Sequence, residues 1–328
     1  MHKTVGMYQG SLDHIGARLD ALGLSIRVLP MNRDGKFVID GAEVSPGEVD
    51  IDYFWLSPHI AREGAEDAVF EAVLACRSVD VVQTYNAGLD APVYRRMADK
   101  GIRLCNSSAQ GIAIAEYVLG QVMSVFQPIE RQRAQQAARI WERTPYREIS
   151  QSEWLIVGFG PIGRALSQRL RAFGAGISVV RRAAGALEGV DRCGTTEDLP
   201  EYLGRADVIV LACPLNDATR GMVDAEFLSA VKPGAVLVNI ARGGLIDEPA
   251  LIAALDAGQI STAILDVFQT EPLPEGDPLW SHPQVRLTPH TSFAGDGVQG
   301  RWDRLFLDNI ARYVRGEPLD RLVDPADI

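Results

Sequence analysis

Short apolar runs alternate with amphipathic stretches along the first hundred residues. Four runs have the length and composition of strands, at residues 26–29, 51–56, 79–84 and 103–105. Between them, residues 12–22 and 65–75 have the apolar spacing of helices. Strands that alternate with helices are typical of a parallel sheet covered by helices, and the pattern predicts this architecture.

A second alternating series starts with the apolar run at residues 154–157. Five more strands are predicted further along, at residues 177–181, 208–212, 235–240, 262–266 and 285–288. A helix at residues 248–257 is expected to end at Gly258, because glycine favours the left-handed conformation at a helix end. The series predicts a doubly wound α/β unit of about 140 residues.

A long helical stretch at residues 113–142 joins the two series. Pro128 is expected to break or kink it. Its central part, residues 130–139, is polar and charged, as expected for a helix that connects domains or faces a second subunit. A last helix is predicted at residues 299–315, and because it follows the second sheet we expect it to pack on the first domain.

Length and composition indicate a globular protein of two domains. The chain has 328 residues, of which 47 % are hydrophobic and 23 % are charged, and a domain typically contains about 100–200 residues. The net charge of −11 opposes general binding to nucleic acids and to anionic membranes. No apolar run reaches the roughly 20 residues of a membrane-spanning helix. We therefore expect neither a nucleic-acid partner nor a membrane segment.

The four cysteines are scattered along the chain, at residues 76, 105, 193 and 213. No pair has the CxxC spacing of a zinc site, and the set does not form a disulfide framework. The cysteines therefore predict reduced thiols in a cytoplasmic protein, with no metal site.

A glycine-rich turn follows the first strand of the second series and directly precedes a helical stretch. Its glycines are Gly158, Gly160 and Gly163. In this setting the first permits a tight turn, the second lets a pyrophosphate approach the backbone, and the third lets helix and strand pack closely. Pro161 suits the first helical turn, and the N–H groups that begin at Ile162 favour an anion. The turn predicts a dinucleotide site, and an ordinary glycine-rich loop is the alternative.

The end of the next strand indicates which dinucleotide is bound. NAD sites carry an acidic residue about 20 residues after the turn, whereas this strand ends in Arg181 and Arg182, with no carboxylate before Glu188. Two arginines can pair with the 2′-phosphate of NADP, or they can simply face solvent. We predict a preference for NADP(H), with NAD(H) as the second possibility.

Four sequence blocks together resemble the D-isomer-specific 2-hydroxyacid dehydrogenases. They are LIVGFGPIGR at 155–164, LVNIARGGLIDE at 237–248, LDVF at 265–268 followed by EPLP at 271–274, and LTPH at 287–290. The resemblance spans nearly the whole chain and is strongest at residues 106–292.

The resemblance implies two doubly wound parallel-sheet domains. A flavodoxin-like substrate domain would comprise residues 1–105 and 293–328, with a Rossmann dinucleotide-binding domain at residues 106–292 inserted between its parts. The family places its active site in the cleft between such domains. It is usually dimeric, and residues 113–142 are similar to its dimerisation region, so a homodimer is expected.

The resemblance also implies a catalytic set of Arg242, Glu271 and His290. Reduction of a 2-keto acid requires that the carboxylate be held, the carbonyl polarised and a proton delivered. Arg242 can bind a carboxylate through two parallel hydrogen bonds. Glu271 would favour the charged imidazolium of His290, which then acts as the acid/base near neutral pH.

Further binding residues follow from the same resemblance. Asp266 matches the residue that contacts the nicotinamide carboxamide, although an aspartate that caps a turn is a serious alternative. Ile240 and Ala241 should lie against the nicotinamide. The remaining cofactor contacts are expected from Cys213, Pro214 and Thr219.

In the first domain, Asn86, Ala87 and Gly88 are similar to the family loop that holds the substrate carboxylate with backbone N–H groups. Asn86 could add a side-chain donor, whereas a plain turn at a strand end is the alternative. Trp55 and Ser57, at the end of another strand, are expected to shape the substrate pocket, although aromatic residues at strand ends more often belong to the core.

The sequence thus predicts an NADPH-dependent reductase of small 2-keto acids, of the glyoxylate or hydroxypyruvate type. The family also includes dinucleotide-sensing corepressors with the same fold, which leaves a binding scaffold as the alternative. The substrate's side chain and the physiological direction of the reaction stay open at this point.

Overall fold

A computed structural model of the chain describes residues 2–325 and 328. Within these residues fourteen strands form two seven-stranded sheets. The strands are β1 (Lys3–Tyr8), β2 (Ile26–Met31), β3 (Phe37–Ile39), β4 (Ala42–Val44), β5 (Asp50–Leu56), β6 (Ser78–Thr84), β7 (Arg103–Cys105), β8 (Glu153–Val157), β9 (Gly176–Val180), β10 (Arg192–Gly194), β11 (Val208–Leu211), β12 (Ala235–Asn239), β13 (Ile260–Leu265) and β14 (Val285–Leu287).

Eleven α-helices lie in the same part of the chain. They are α1 (Gln9–Asp20), α2 (Pro58–Arg62), α3 (Glu66–Ala75), α4 (Pro92–Asp99), α5 (Gly111–Phe126), α6 (Ile129–Ala137), α7 (Pro161–Phe173), α8 (Leu199–Leu203), α9 (Ala225–Ala230), α10 (Glu248–Asp256) and α11 (Val298–Arg315).

The chain divides into two compact units. The first comprises Met1–Ala109 and Asp296–Ile328, and the second comprises Gln110–Gly295. Residues after β7 stay with the first unit because their backbone is bonded there: the Ser107 N–H donates to the carbonyl of Asn86, and the Ala109 carbonyl accepts from Arg301.

The first unit is built on the sheet β4-β3-β2-β1-β5-β6-β7. Its strands pair in parallel except at one edge, where β3 pairs antiparallel with both β2 and β4. Apolar clusters fill both faces. Helix α11 covers one of them, with Phe306 stacked on Trp55 at 4.2 Å between ring centroids.

The prediction that Trp55 and Ser57 shape a substrate pocket is wrong. Trp55 is only 1 % exposed and belongs to the core. Ser57 is fully buried, and its hydroxyl accepts the N–H of His59 at the start of α2. Large aromatic side chains at a strand end bury more apolar surface in the core than at a rim, and a serine before a helix caps it.

The second unit is built on the sheet β10-β9-β8-β11-β12-β13-β14, in which all neighbouring pairs are parallel. Apolar side chains from both faces of the sheet pack under helices. The direction of winding reverses between β8 and β11, which is the position where doubly wound sheets bind ligands. The predicted α/β class with two doubly wound sheets is confirmed.

The helical stretch predicted at residues 113–142, with a break or kink near Pro128, ends earlier than expected. Helix α5 ends at Phe126, α6 runs from Ile129 to Ala137, and residues 138–148 form no helix. The break lies at Pro128 as expected. The rest ends early because α6 buries no side chain, and helices gain most of their stability from a packed apolar face.

No single helix among the described residues is long and apolar enough to cross a membrane. Only α5 and α6 taken together have the length and apolar composition of a membrane-spanning segment, and they are bent by 55° at their break. In the structure, α5 buries Val118, Val122 and Phe126 in the core of the second unit.

Candidate active site

The predicted site residues of the second unit follow the carboxyl ends of parallel strands. Gly158 follows β8, Arg181 follows β9, Cys213 follows β11, Ile240 follows β12, Asp266 follows β13 and His290 follows β14. Because parallel strands end at one edge of the sheet, these positions are brought to the same side of the unit.

In the turn between β8 and α7, the surroundings of each glycine explain why that position lacks a side chain. Gly158 has φ +102°, and a Cβ there would lie 2.5 Å from the carbonyl oxygen of Ala212. A Cβ at Gly163 would lie 2.5 Å from the carbonyl oxygen of Gly158. Gly160 instead faces open space, with no atom within 4 Å of such a Cβ. Two glycines therefore permit tight packing, and the middle one leaves room for a ligand.

The loop after β11 adjoins this turn. A Cβ at Gly158 would lie 2.7 Å from the backbone nitrogen of Cys213. Burial raises the pKa of the Cys213 thiol to about 11, so the side chain stays a neutral thiol. Thr219 closes the loop by donating its hydroxyl hydrogen to the carbonyl of Pro214, at 2.7 Å.

Arg181 and Arg182 begin the loop after β9. The backbone N–H of Arg181 donates to the carbonyl of Gly194, which fixes the start of the loop. Its Nε atom is buried and has no hydrogen-bond partner among the described residues. A buried N–H without an acceptor is costly, so an anionic group at this place would satisfy it. Arg182 is exposed.

Arg242 follows β12 in an extended conformation, and its Nη1 donates to the carbonyl of Ala241 at 2.7 Å. The side chain of Asn239, which is fully buried, donates to the Arg242 carbonyl and accepts from the Ala241 N–H. Ile240 and Ala241 are themselves buried at this strand end. The turn that presents Arg242 is therefore fixed from inside the sheet.

Gly243 joins this turn to the loop after β13. A Cβ at Gly243 would lie 1.8 Å from the carbonyl carbon of Phe268 and 2.3 Å from the nitrogen of Gln269. The two backbones therefore touch, and no other residue type fits without moving one of them. This contact holds Arg242 next to the loop that carries Glu271.

His290 and Glu271 form a close pair. The Nδ1 atom of His290 lies 2.7 Å from Oε2 of Glu271, and the other carboxylate oxygen accepts the N–H of Phe268. Their side chains are 44 % and 36 % exposed, respectively. His290 has φ +46°, a left-handed conformation that is uncommon outside glycine and that clusters at functional sites. With Nδ1 held by the carboxylate, Nε2 is the nitrogen that can exchange a proton with a ligand.

Asp266 is fully buried, and both of its carboxylate oxygens accept hydrogen bonds from the loop after β14. Oδ1 accepts from the Thr288 hydroxyl and the Thr291 N–H, and Oδ2 accepts from the Ser292 N–H. The structure therefore gives Asp266 the turn-capping role that was the alternative from the sequence. Its contact with a nicotinamide carboxamide stays a prediction.

A pocket of about 810 Å³ in the second unit brings the three predicted catalytic residues together. It is lined by Leu215, Arg220, Gly221, Arg242, Gly243, Gly244, Ile246, Asp247, Pro249, Phe268, Gln269, Glu271 and His290. A guanidinium, a carboxylate and an imidazole in one pocket can bind an organic acid and transfer a proton to it.

In the first unit, the predicted loop at Asn86–Gly88 follows β6. The side-chain amide of Asn86 donates to the hydroxyl of Tyr94 at 2.7 Å, and its backbone N–H donates to Thr84. The side chain is therefore engaged within the loop. The backbone N–H groups of Ala87 and Gly88 form no hydrogen bond within the described part of the chain, so they are the donors that the loop can offer to a ligand.

Several residues that shape the site were not singled out from the sequence. Asn239, Phe268 and Thr288 lie within the resemblance blocks and are close to predicted residues, but nothing in their spacing indicates which neighbours they contact. Tyr117, whose hydroxyl lies 2.6 Å from that of Thr288, is 171 positions away from it. Contacts of this kind follow from the tertiary fold alone.

Comparison with known proteins decides the family. Residues 119–292 match the family model described as D-isomer specific 2-hydroxyacid dehydrogenase, NAD binding domain. The chain belongs to this family. The predicted recognition is thereby confirmed, and the protein is an NAD(P)-dependent oxidoreductase that acts on the CH–OH group of 2-hydroxy acids.

Curated relatives of this dehydrogenase extend over most of its length. An uncharacterized protein in the proB 3′ region of Corynebacterium melassecola is 34 % identical over 255 residues, which is 75 % of this chain and 83 % of the relative. Glyoxylate/hydroxypyruvate reductase A of Salmonella choleraesuis is 30 % identical over 265 residues, which is 77 % of this chain and 83 % of the relative.

Solved structures share the fold of the whole dehydrogenase. A D-isomer specific 2-hydroxyacid dehydrogenase from Xanthobacter autotrophicus Py2, in complex with NADPH and MES, is 29 % identical with a TM-score of 0.78, and 99 % of each chain is covered. An NADPH-dependent glyoxylate/hydroxypyruvate reductase from Sinorhizobium meliloti has a TM-score of 0.77 at 22 % identity, covering 100 % of this chain and 99 % of that one. The second likeness shows the fold alone.

The dehydrogenase's own residues fit a dinucleotide. The open space at Gly160 admits a pyrophosphate next to the backbone, and the first N–H groups of α7 have no partner inside the helix. The buried Nε atom of Arg181 offers a donor at the end of β9, where an adenosine ribose lies in such folds.

Proposed function

We propose that the protein is an NADPH-dependent reductase that converts small 2-keto acids, of the glyoxylate or hydroxypyruvate type, to D-2-hydroxy acids. One observation carries this proposal: the His290–Glu271 pair shares a pocket with Arg242, on the unit that also contains the glycine turn. The name of the Salmonella relative, glyoxylate/hydroxypyruvate reductase A, supports the substrate class.

For the cofactor we propose NADPH, with NADH as a weaker alternative. The unpartnered Nε of Arg181 suits the 2′-phosphate. Between the glycine turn and Glu188 the chain has no carboxylate that could bind a free ribose hydroxyl. The Xanthobacter relative was crystallised with NADPH. Bound NADPH would supply the hydride for the reaction.

Arg242 is proposed to bind the substrate carboxylate through two hydrogen bonds and to polarise the keto oxygen. Glu271 accepts the Nδ1 hydrogen of His290, which orients the ring. Nε2 of His290 then donates its proton to the oxygen that becomes the hydroxyl. The keto carbon gains the hydride and the oxygen gains this proton, which completes the alcohol.

The other predicted contacts are proposed to assist binding. We assign Gly158, Gly160, Pro161, Ile162 and Gly163 to the pyrophosphate, Arg181 and Arg182 to the 2′-phosphate, Cys213, Pro214 and Thr219 to the adenosine and phosphates, Ile240, Ala241 and Asp266 to the nicotinamide, and Asn86, Ala87 and Gly88 to the substrate carboxylate.

The two units are proposed to divide these tasks, the second binding the dinucleotide and the first contributing to the substrate site.

We further propose a homodimer that contacts through residues 138–148. This segment exposes the apolar side chains of Ile140, Trp141 and Tyr146, with Trp141 wholly exposed, and exposed apolar clusters mark interaction surfaces. All four cysteines, which lie within the described residues, are free, as suits a cytoplasmic enzyme.

A panel of 2-keto acids tests the proposal. The purified protein is mixed with NADPH and with glyoxylate, hydroxypyruvate, pyruvate or 2-oxoglutarate, and NADPH consumption is followed. We expect glyoxylate and hydroxypyruvate to be reduced fastest, with D-products by chiral analysis wherever a stereocentre forms. Tight NADPH binding without turnover of any acid would instead favour the dinucleotide-sensing scaffold.

A further inference from the structure

The loop from Thr288 to Ser292 is wrapped around the carboxylate of Asp266. Its Thr291 and Ser292 N–H groups donate to the two carboxylate oxygens at 2.8 and 2.9 Å. The N–H of His290 donates to the backbone carbonyl of Asp266 at 2.9 Å. The loop that presents His290 in its left-handed conformation is therefore bonded to one buried residue directly after β13, and the His290 N–H also contacts the Thr288 carbonyl within the loop.

The loop has a second anchor on helix α5. The Thr288 hydroxyl donates to Oδ1 of Asp266 at 2.6 Å, and this uses its only hydrogen. The Tyr117 hydroxyl, 2.6 Å from the Thr288 oxygen, must therefore be the donor in that contact. The hydrogen bonds run from Tyr117 through Thr288 to Asp266, and in each bond the donor and the acceptor are defined.

Tyr117 is well suited to anchor the loop. Burial raises the pKa of its hydroxyl, so the group keeps the hydrogen that it donates. Its helix is packed into the core through Ala115 and Val118 on either side of Tyr117. At the start of the same helix, a Cβ at Gly111 would lie 3.0 Å from the carbonyl oxygen of Pro161, in the glycine turn. Helix α5 thus contacts both the glycine turn and the loop of His290.

We propose that Tyr117 is a positioning residue for His290, acting through Thr288 and Asp266 to hold the imidazole where Glu271 meets it. This inference rests on the proposed role of His290 as the proton donor. Tyr117 itself contacts neither Glu271 nor His290 in the hydrogen bonds described, so its effect on proton transfer would be indirect. The rigid position of the proton donor matters because small displacements of a catalytic group lower the reaction rate strongly.

The test uses the full-length protein with four substitutions. Tyr117→Phe removes the first donor, Thr288→Val removes both bonds of the threonine hydroxyl, and Thr288→Ser retains a hydroxyl. Tyr202→Phe is the matched control, since the Tyr202 hydroxyl forms no hydrogen bond within the described residues. Two quantities are measured for each protein: steady-state kinetics with NADPH and a 2-keto acid, and amide hydrogen exchange of the peptide that contains His290.

We expect Tyr117→Phe to lower kcat by about 3-fold to 10-fold, the range that corresponds to one lost hydrogen bond, with the KM for NADPH unchanged within about two-fold. Exchange of the His290 peptide should become faster in the same variant. Thr288→Val should have a larger effect on both, Thr288→Ser should resemble the wild type, and Tyr202→Phe should change neither.

A Tyr117→Phe protein that matches Tyr202→Phe in kcat would overturn the inference, as would a lower kcat with unchanged exchange of the His290 peptide. If the wild type reduces no 2-keto acid, the proposed function fails instead. In that event, amide hydrogen exchange of the His290 peptide still tests the positioning role of Tyr117. Faster exchange in Tyr117→Phe and Thr288→Val, but not in the other two variants, supports this role, and unchanged exchange overturns it.

Discussion

The glycine turn and the catalytic loops belong to the same unit but are built in opposite ways. The turn is contiguous, from Gly158 to Gly163, and its middle glycine faces open space. The catalytic loops join three separate strand ends, and their polar groups are largely satisfied by one another: Glu271 binds His290 and Phe268, and Asp266 binds the loop that carries His290. One region is shaped to receive a ligand, whereas the other is held in place before any ligand arrives.

Because the two regions are built so differently, cofactor binding and chemistry should be separable by mutation. The turn can lose affinity without losing the arrangement of the catalytic groups. Those groups can lose their chemistry while the turn still binds the dinucleotide. Preorganised polar groups of this kind are a principal source of catalytic power in enzymes.

The largest effect is expected for His290→Gln. Loss of the general acid should lower kcat by about 10²–10⁴-fold, whereas the dissociation constant for NADPH, measured by fluorescence titration, should stay near the wild-type value. His282→Gln is a control in the same unit, because His282 pairs with Asp256 outside the pocket. Near-normal turnover in the His290 variant would refute the role of this residue.

The same substitution in the two regions should have contrasting results. Gly243→Ala places a methyl group where the backbone of Phe268 lies, so we expect a lower Tm and a kcat reduced by about 10²-fold, since the catalytic loops must shift. Gly160→Ala meets no protein atom, so Tm should be retained while the KM for NADPH rises. If both variants behaved alike in Tm and KM, the contrast between the regions would be wrong.

Cofactor choice should depend on the arginines after β9. Replacing Arg181 and Arg182 by alanine removes charged donors to the 2′-phosphate, so kcat/KM with NADPH should fall by about 10-fold to 100-fold. The value with NADH should change little. Arg205→Ala, which removes an exposed arginine paired with Glu201, should alter neither value. An equal loss with both cofactors would mean that the pair does not recognise the phosphate.

The smallest effect is expected at Asp207, which lies outside both regions. This buried carboxylate binds Arg147 and Lys232. Burial opposes its charge, but these hydrogen bonds outweigh burial and lower the pKa of Asp207 from the ordinary 3.8. A lowered pKa contributes stability above that value and loses it as the pH falls further. Asp207→Asn should therefore cost about 1–3 kcal/mol of unfolding free energy at neutral pH, the penalty for leaving charged hydrogen-bond donors without their partner.

Urea unfolding at several pH values measures this cost. The difference between wild type and Asp207→Asn should shrink below pH 3.8, with kcat unaffected near neutral pH. A difference that stays constant through the acid range would contradict the assigned ion pairs.

The sequence predicted the turn better than the catalytic loops for a physical reason. The turn is a local structure, and the roles of Gly158 and Gly163 follow from a few neighbouring residues. The backbone contact of Gly243 with Phe268 and the bond of Tyr117 to Thr288 depend on sheet order and helix packing, which spacing along the chain does not give. The resemblance to a family supplied Glu271, which the residues alone would not have singled out.

Local patterns also misled in places. The prediction for Trp55 failed because burial in the core outweighs a place at a strand end, and the helix predicted to residue 142 ended at Ala137 because its second part buries nothing. Strands β1 and β10 and the β3–β4 hairpin were missed. Their apolar runs are short, and strand pairing with distant segments stabilises them.

Initial rates of the wild-type protein with glyoxylate or hydroxypyruvate, measured in parallel with NADPH and with NADH, test both the proposed reaction and the proposed cofactor. We expect turnover with both acids and a kcat/KM for NADPH at least about 10-fold above that for NADH, from the charged hydrogen bonds to the 2′-phosphate. A clear preference for NADH would contradict the cofactor assignment. Absence of turnover with either acid, while NADPH still binds, would contradict the proposed reaction.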